Sequence, residues 1–159
     1  MADGKTHDRV GARVAIAWAT FSAIAIAKPT TPLSMGEALE VADWFLVALM
    51  GGLLGFGWLS PDIDFSTVRS LPIQRWGILS FIWKPFQSKH RGITHVPVLG
   101  SLLMQGWLAL IAAAIAAVCH AAGWQAPTMA DLYEYRMQIG LISVSVVIQQ
   151  LTHLYLDGL

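Results

Sequence analysis

Apolar residues gather into four long runs separated by short polar stretches. The first, 10–27, is broken only by Arg13, and the second, 41–59, carries Asp43 near its start. The third, 96–122, holds no Asp, Glu, Lys or Arg, and the fourth, 137–156, carries His153 near its end. Each run approaches the ~20 residues with which a helix crosses the hydrocarbon layer of a bilayer. Backbone groups in lipid must bond within the chain, so runs of this kind are expected to be helices. The pattern predicts an all-α integral membrane four-helix bundle, with 1–159 as one membrane domain. Of the connecting stretches 28–40, 60–95 and 123–136, only the second is long.

Composition agrees with that pattern. Apolar residues make up 55% of the chain and charged residues 13%, against roughly 25% charged in an ordinary soluble domain. The formal net charge is zero, which argues against a nucleic-acid partner. A single cysteine, Cys119, excludes an internal disulfide and any cysteine metal cluster. A metal site in this chain would have to use His and carboxylate. The N-terminal basic residues, the apolar stretch and Ala25-Ile26-Ala27 resemble a cleavable leader. Asp3 and Asp8 are unusual in one, so an uncleaved first span is expected.

Charge also predicts an orientation. Lys5, Arg9 and Arg13 lie before or just inside the first run, and only Lys28 lies between the first and second. Arg69, Arg75, Lys84, Lys89 and Arg91 lie between the second and third, and only Arg136 between the third and fourth. By the positive-inside tendency, the N-terminus, the long stretch and the C-terminus are expected on the cytoplasmic side of the inner membrane. Trp44, Trp58 and Trp124 fall near run ends, where amphipathic rings settle at headgroups. In the long stretch Trp76, Leu79, Trp83 and Phe86 recur at helical spacing. They predict a short interfacial helix or a stripe packed on the bundle.

Residues with ligand character collect at the same end. Asp62 and Asp64 stand in Ser-Pro-Asp-Ile-Asp after the second run. His90 and His95 stand in His-Arg-Gly-Ile-Thr-His before the third, and His153 and Asp157 end the fourth as His-x-x-x-Asp. His7 precedes the first run. An i, i+4 pair shares one helix face, so His153 and Asp157 can point at one ion. Imidazole and carboxylate together suit zinc, manganese, iron or nickel and do not choose among them; zinc is the expected ion. Taken singly, Asp-x-Asp can cap a helical turn and His153–Asp157 can be a simple pair. His120, beside Cys119, lies at the other end and reads as a packing or interfacial residue. Ionisable groups beside a span are functional by default. Arg91 serves the positive-inside bias or binds an anion.

Gly-Lys-Thr-His-Asp, Ser-Pro-Asp-Ile-Asp, Arg-Trp-Gly-x-Leu-x-Phe-Ile-Trp-x-Pro and His-Arg-Gly-Ile-Thr-His together resemble an uncharacterised family of metal-binding membrane proteins. That family is similar to the YdjM-like inner-membrane metal-dependent hydrolases. The resemblance runs along the whole chain and is strongest over 60–95. It implies Asp62, Asp64, His90, His95, His153 and Asp157 as ligands, with His7 matching the N-terminal motif. A remoter similarity to the helical zinc phospholipase C and P1 nuclease group implies phosphoester hydrolysis.

Two functions are therefore expected to compete. In a hydrolase, Asp62 or Asp64 acts as base and Arg91 holds the anionic group of a phosphoester or lipid-linked substrate. In a non-catalytic metal-stabilised module or accessory subunit, a closed ligand shell staples the helix ends. Metal transport is less expected, because transport sites usually lie near the bilayer midplane. The lipid bilayer is the one partner every version shares, and an oligomer or larger complex fits any of them.

Overall fold

The computed structural model describes residues 4–30, 32, 34–64, 71–87 and 92–158, apart from the side chains of 4–8, 64 and 71. Among these residues every regular element is helical. Helix α1 covers Gly4–Ala27, α2 Met35–Gly57, α3 Leu71–Trp76, α4 Leu99–Ala121, α5 Met129–Glu134 and α6 Arg136–Leu156. Helices α1 (from Arg9), α2, α4 and α6 are long and apolar enough to cross a membrane.

Two boundaries differ from the apolar runs, each for a local reason. Helix α2 starts six residues before Val41, because Ser34 builds a capping box. The Ser34 hydroxyl accepts the Glu37 N–H at 3.2 Å and the Glu37 carboxylate accepts the Ser34 N–H at 2.9 Å. Glu37 and Glu40 therefore belong to the helix, although their charge reads as a connection. Helix α4 starts at Leu99 rather than Val96. Pro97 interrupts the backbone, and Val98 takes φ 61° with the Leu99 N–H donating to the Pro97 carbonyl at 2.6 Å. That is a γ-turn with positive φ, an uncommon backbone for a β-branched residue.

Helices α1, α2 and α6 pack closely because they meet through small residues. Buried Ala48, Gly51, Gly52 and Gly55 form one face of α2. A Cβ on Gly51 would lie 2.6 Å from the Ile142 carbonyl oxygen, one on Gly52 2.9 Å from the Ala15 Cβ, and one on Gly55 2.8 Å from the Gln149 Cβ. Small residues of this kind let helix backbones approach where side-chain packing alone drives association. The pairings run α1 antiparallel to α2 and α6 parallel to it. Ends of α1, α2 and α6 thereby meet on one side, with Gly11 of α1 against Phe56 of α2. Helix α4 stands at the margin, since only Gly100, Ser101 and Met104, all in its first turns, are buried. Farther along, the Ser143 hydroxyl donates to Gln105 Oε1 at 2.6 Å and joins α4 to α6.

The segment between α2 and α4 covers the end of the bundle. It contains a 3-10 turn at Pro61–Asp64, α3, a 3-10 stretch at Gly77–Phe86 and a 3-10 turn at Ile93–His95. Of the aromatic stripe, Trp83 is fully buried, with Trp76 and Phe86 partly buried on either side. Leu79 stays exposed. The stripe is thus packed on the bundle in the main, and the 3-10 period of three brings Trp83 and Phe86 onto one face. Trp83 joins Leu59, Ile63, Ile73, Met104 and Val146 in an apolar cluster that anchors the segment.

Candidate metal centre

Each candidate ligand is held by a different piece of local structure. Pro61 opens the one-turn helix Pro61–Asp64, and Ile63 within it is fully buried. Burying Ile63 fixes the turn on the core and leaves Asp62 beside it, partly exposed. The Gln150 side chain, one turn before His153, donates to the Leu59 carbonyl and ties this turn to α6. The Arg75 guanidinium donates to the Gly57 carbonyl at 2.9 Å and the Trp76 indole to the Trp58 carbonyl at 2.8 Å. Both bonds satisfy carbonyls at the end of α2, where intrahelical donors run out.

His95 ends the 3-10 turn Ile93–His95, which lies flat on the start of α4. Gly100 permits that contact. A Cβ there would sit 2.7 Å from the Ile93 carbonyl oxygen and closer still to that of Thr94. His153 and Asp157 occupy the last turn of α6 and its C-terminal cap.

These elements bring four side chains to one point. His153 Nε2 lies 3.5 Å from Asp62 Oδ1 and 3.3 Å from Asp157 Oδ2, and His95 Nε2 lies 3.9 Å from the same Asp62 oxygen. One donor atom from each of Asp62, His95, His153 and Asp157 falls within 4.8 Å of the others. The side chains of His95, Asp157 and His153 are 3%, 7% and 13% exposed, and that of Asp62 is 31% exposed. Asp62 therefore forms the mouth.

The far nitrogen of each ring faces a hydroxyl. Thr94 Oγ1 is 3.2 Å from His95 Nδ1 and Ser60 Oγ is 3.5 Å from His153 Nδ1. Thr94 and Ser60 are themselves buried. Metal-ligating imidazoles commonly anchor their second nitrogen in this way. Neither hydroxyl was signalled by ligand spacing. The only trace is that Thr94 adjoins His95 and Ser60 lies two residues before Asp62.

The donor set fits a metal ion. With bonds of about 2.1 Å to nitrogen and oxygen, neighbouring ligands of a tetrahedral ion stand about 3.4 Å apart. The two His153 separations, 3.3 and 3.5 Å, bracket that edge, and the 3.9 Å between His95 and Asp62 exceeds it. Two imidazoles and two carboxylates, with no thiolate, suit a divalent ion of borderline hardness.

Other sequence candidates are placed differently. His7 and Asp64 have described backbones, in the first turns of α1 and in the Pro61 turn, but their side chains lie outside the described residues. His90 and Arg91 lie outside them altogether. His120 is in the last turn of α4, at the opposite end from His95.

Four span-length helices closed at one end by a His/Asp cluster define a helical protein with a candidate metal centre. Over residues 2–159 the chain matches the family described as Uncharacterized metal-binding protein (DUF2227), and it belongs to that family. An uncharacterized protein of Aquifex aeolicus (strain VF5) is 55% identical over 56 residues, 34% of this chain and 38% of that relative. The match therefore spans less than two thirds of the relative's length. No solved structure matches.

Proposed function

We propose that this protein is a multi-pass inner-membrane metalloprotein and a metal-dependent hydrolase, acting on a phosphoester or lipid-linked phosphate at the cytoplasmic face. The observation that carries the reading is the unequal burial of the four donors. His95, His153 and Asp157 form a well-buried set of two imidazoles and one carboxylate, with the partly exposed Asp62 at the mouth. Two His and one carboxylate is a frequent protein share of a catalytic site that keeps a position open.

Large apolar side chains face outward along the spans, including Phe21, Leu46, Leu110 and Val118, which suits lipid and is unfavourable in water. The Lys and Arg distribution supports the cytoplasmic orientation of both termini. The similarity to the YdjM-like hydrolases suggested by the sequence motifs points to the same chemistry.

A divalent ion held here, zinc by preference, supplies Lewis acidity toward a phosphoryl oxygen and an attacking water. The remaining work falls to the chain. His95 and His153 present Nε2 to the ion while their Nδ1–H groups donate to Thr94 and Ser60, which fixes tautomer and ring orientation. Asp62, at the mouth, accepts a proton from the attacking water. Arg91, four residues before His95, holds the anionic group of the substrate. His7, Asp64 and His90 are further proposed ligands, for a second ion rather than for the open position of the first.

A second reading rests on the number of donors: four within 4.8 Å of one another can draw in around an ion as a closed shell that only staples the segment to α6. One experiment separates the two. Purified full-length protein in nanodiscs is assayed with an aryl phosphate and with anionic phospholipid, before and after chelation and metal return. The hydrolase reading expects activity to vanish and return. It also expects Asp62→Asn to lower turnover by about 10²-fold or more with metal content unchanged. A fully loaded protein with four protein donors, no exchangeable position and no turnover establishes the structural role instead.

A further inference from the structure

The metal centre does not stand alone on α6. Ser145, Gln149, His153 and Asp157 recur every four residues and so line one face, leading from the centre into the bundle. Ser145 is partnered: its hydroxyl accepts the Trp18 indole N–H at 2.9 Å and donates to the Leu141 carbonyl at 2.7 Å. Gln149 is different. It is 2% exposed, and among the described residues neither its Nε2 nor its Oε1 has a hydrogen-bond partner. On α1, one turn beyond Trp18, the buried Ser22 hydroxyl is likewise without one.

The position makes this costly. Gln149 faces the glycine side of α2, where a Cβ on Gly52 would stand 3.5 Å from its Nε2 and 2.9 Å from the Ala15 Cβ. Its amide thus sits at the junction of α1, α2 and α6, among small residues. A primary amide offers two donors and two lone pairs. Leaving such a group bare in an apolar interior forfeits the hydrogen bonds it makes with water in the unfolded chain. Apolar helix formers would fill the same position without that cost.

We infer that the α1–α2–α6 junction at Gln149 is an internal water-binding site, one helical turn from the candidate metal centre. The ligand class follows from the chemistry. The amide both donates and accepts, as water does. The junction residues Ala15, Gly52 and Gln149 are uncharged and so offer an ion no counter-charge, and buried waters typically occupy sites where polar groups lack protein partners. The small-residue packing of α1 and α2 also argues against a pore, so the site holds isolated water rather than a conducting column. The inference stands on Gln149 alone and holds whether or not the centre is catalytic.

Water-edited solid-state NMR on the full-length, metal-loaded protein in liposomes tests it. Gln105 is the internal reference, because its amide is satisfied by protein: Nε2 donates to Ser101 Oγ at 3.0 Å and Oε1 accepts from Ser143. Magnetisation from water is expected to reach the Gln149 side-chain amide severalfold faster than that of Gln105. Gln149→Leu assigns the signal by removing it. Transfer to Gln149 no faster than to Gln105, or a direct hydrogen bond from Gln149 to a helix carbonyl, overturns the inference. Both measurements use the unsubstituted protein, so they decide the matter even if the Leu variant fails to fold.

Discussion

His153 and Asp157, one turn apart at the end of α6, hold Nε2 and Oδ2 3.3 Å from each other. The pair is local, but it becomes a site only because Asp62 and His95 arrive from the segment between α2 and α4. Three stretches distant in sequence converge, so an ion bound among them links folding of that segment to the bundle.

That convergence predicts the outcome of ligand removal. His95→Ala, His153→Ala and Asp157→Ala should each lower bound metal by at least about tenfold and reduce thermal stability, since binding free energy at such a site is also folding free energy. His120→Ala, at the other end of α4, should leave metal content unchanged. Elemental analysis of the purified variants makes the comparison. Stoichiometric metal in the His95/His153 double variant would remove these residues from any site.

The glycine face of α2 predicts a contrast between positions of the same residue type. Gly51→Val and Gly55→Val place side-chain atoms against the α6 backbone and Gln149, and overpacking of this kind costs about 1–3 kcal/mol or more. Gly106→Ala meets open space, with nothing within 4 Å of the new Cβ. It should leave the thermal midpoint close to that of the parent. A midpoint unchanged by both valine substitutions would mean that α2 and α6 do not pack in this register.

A pH effect is expected away from the spans. At the start of α5 the Thr128 N–H and hydroxyl both donate to Asp131 Oδ2, at 2.6 and 2.7 Å. These bonds, the backbone one first, hold the Asp131 carboxyl below its ordinary value of 3.8. A carboxyl lowered by folding contributes stability above its unfolded value, and that contribution is lost as pH falls through the lower folded value. Carbon-detected titration of Asp131 should show the depression in the parent. It should show a return toward 3.8 in Thr128→Val. Equal titration of the two would contradict the capping box.

Much of this arrangement is visible in the chain, and what is hidden has physical causes. The four long helices follow from the apolar runs, because length and hydropathy are local properties. Asp62, His95, His153 and Asp157 could be grouped because each lies at the same end of a run. The start of α2 could not, since Glu37 and Glu40 read as a polar connection unless the Ser34 box is recognised. The marginal place of α4 has no local signal, for an apolar helix reads alike against lipid or protein. Trp83 was readable as either interfacial or packed, and only its burial with Ile63 and Met104 decides. Thr94, Ser60 and Gln149 carry no signal in the sequence, because hydroxyls and amides near apolar runs are common and what they do depends on tertiary partners.

Thr94 carries the sharpest test of how the centre is built. Its side chain touches His95 through Nδ1 and makes no donor in the four-residue cluster. If Thr94 only fills space, Thr94→Val, nearly the same shape, should leave metal affinity as it was. If it orients the imidazole, the same substitution strips the partner from Nδ1–H and frees the ring to rotate or change tautomer. Loss of such an outer partner typically weakens metal binding by about 10–100-fold. Thr94→Ser, which keeps the hydroxyl, should restore most of that loss while removing a methyl group from a fully buried position. The expected order of affinity is therefore Thr, then Ser, then Val, measured by competition with a chelator of known affinity. A structural role alone predicts the reverse for the last two, because valine preserves the packing and serine does not. Affinity in the order Thr, Val, Ser would thus show that His95 is held by packing around the Ile93–His95 turn and not by its hydrogen bond.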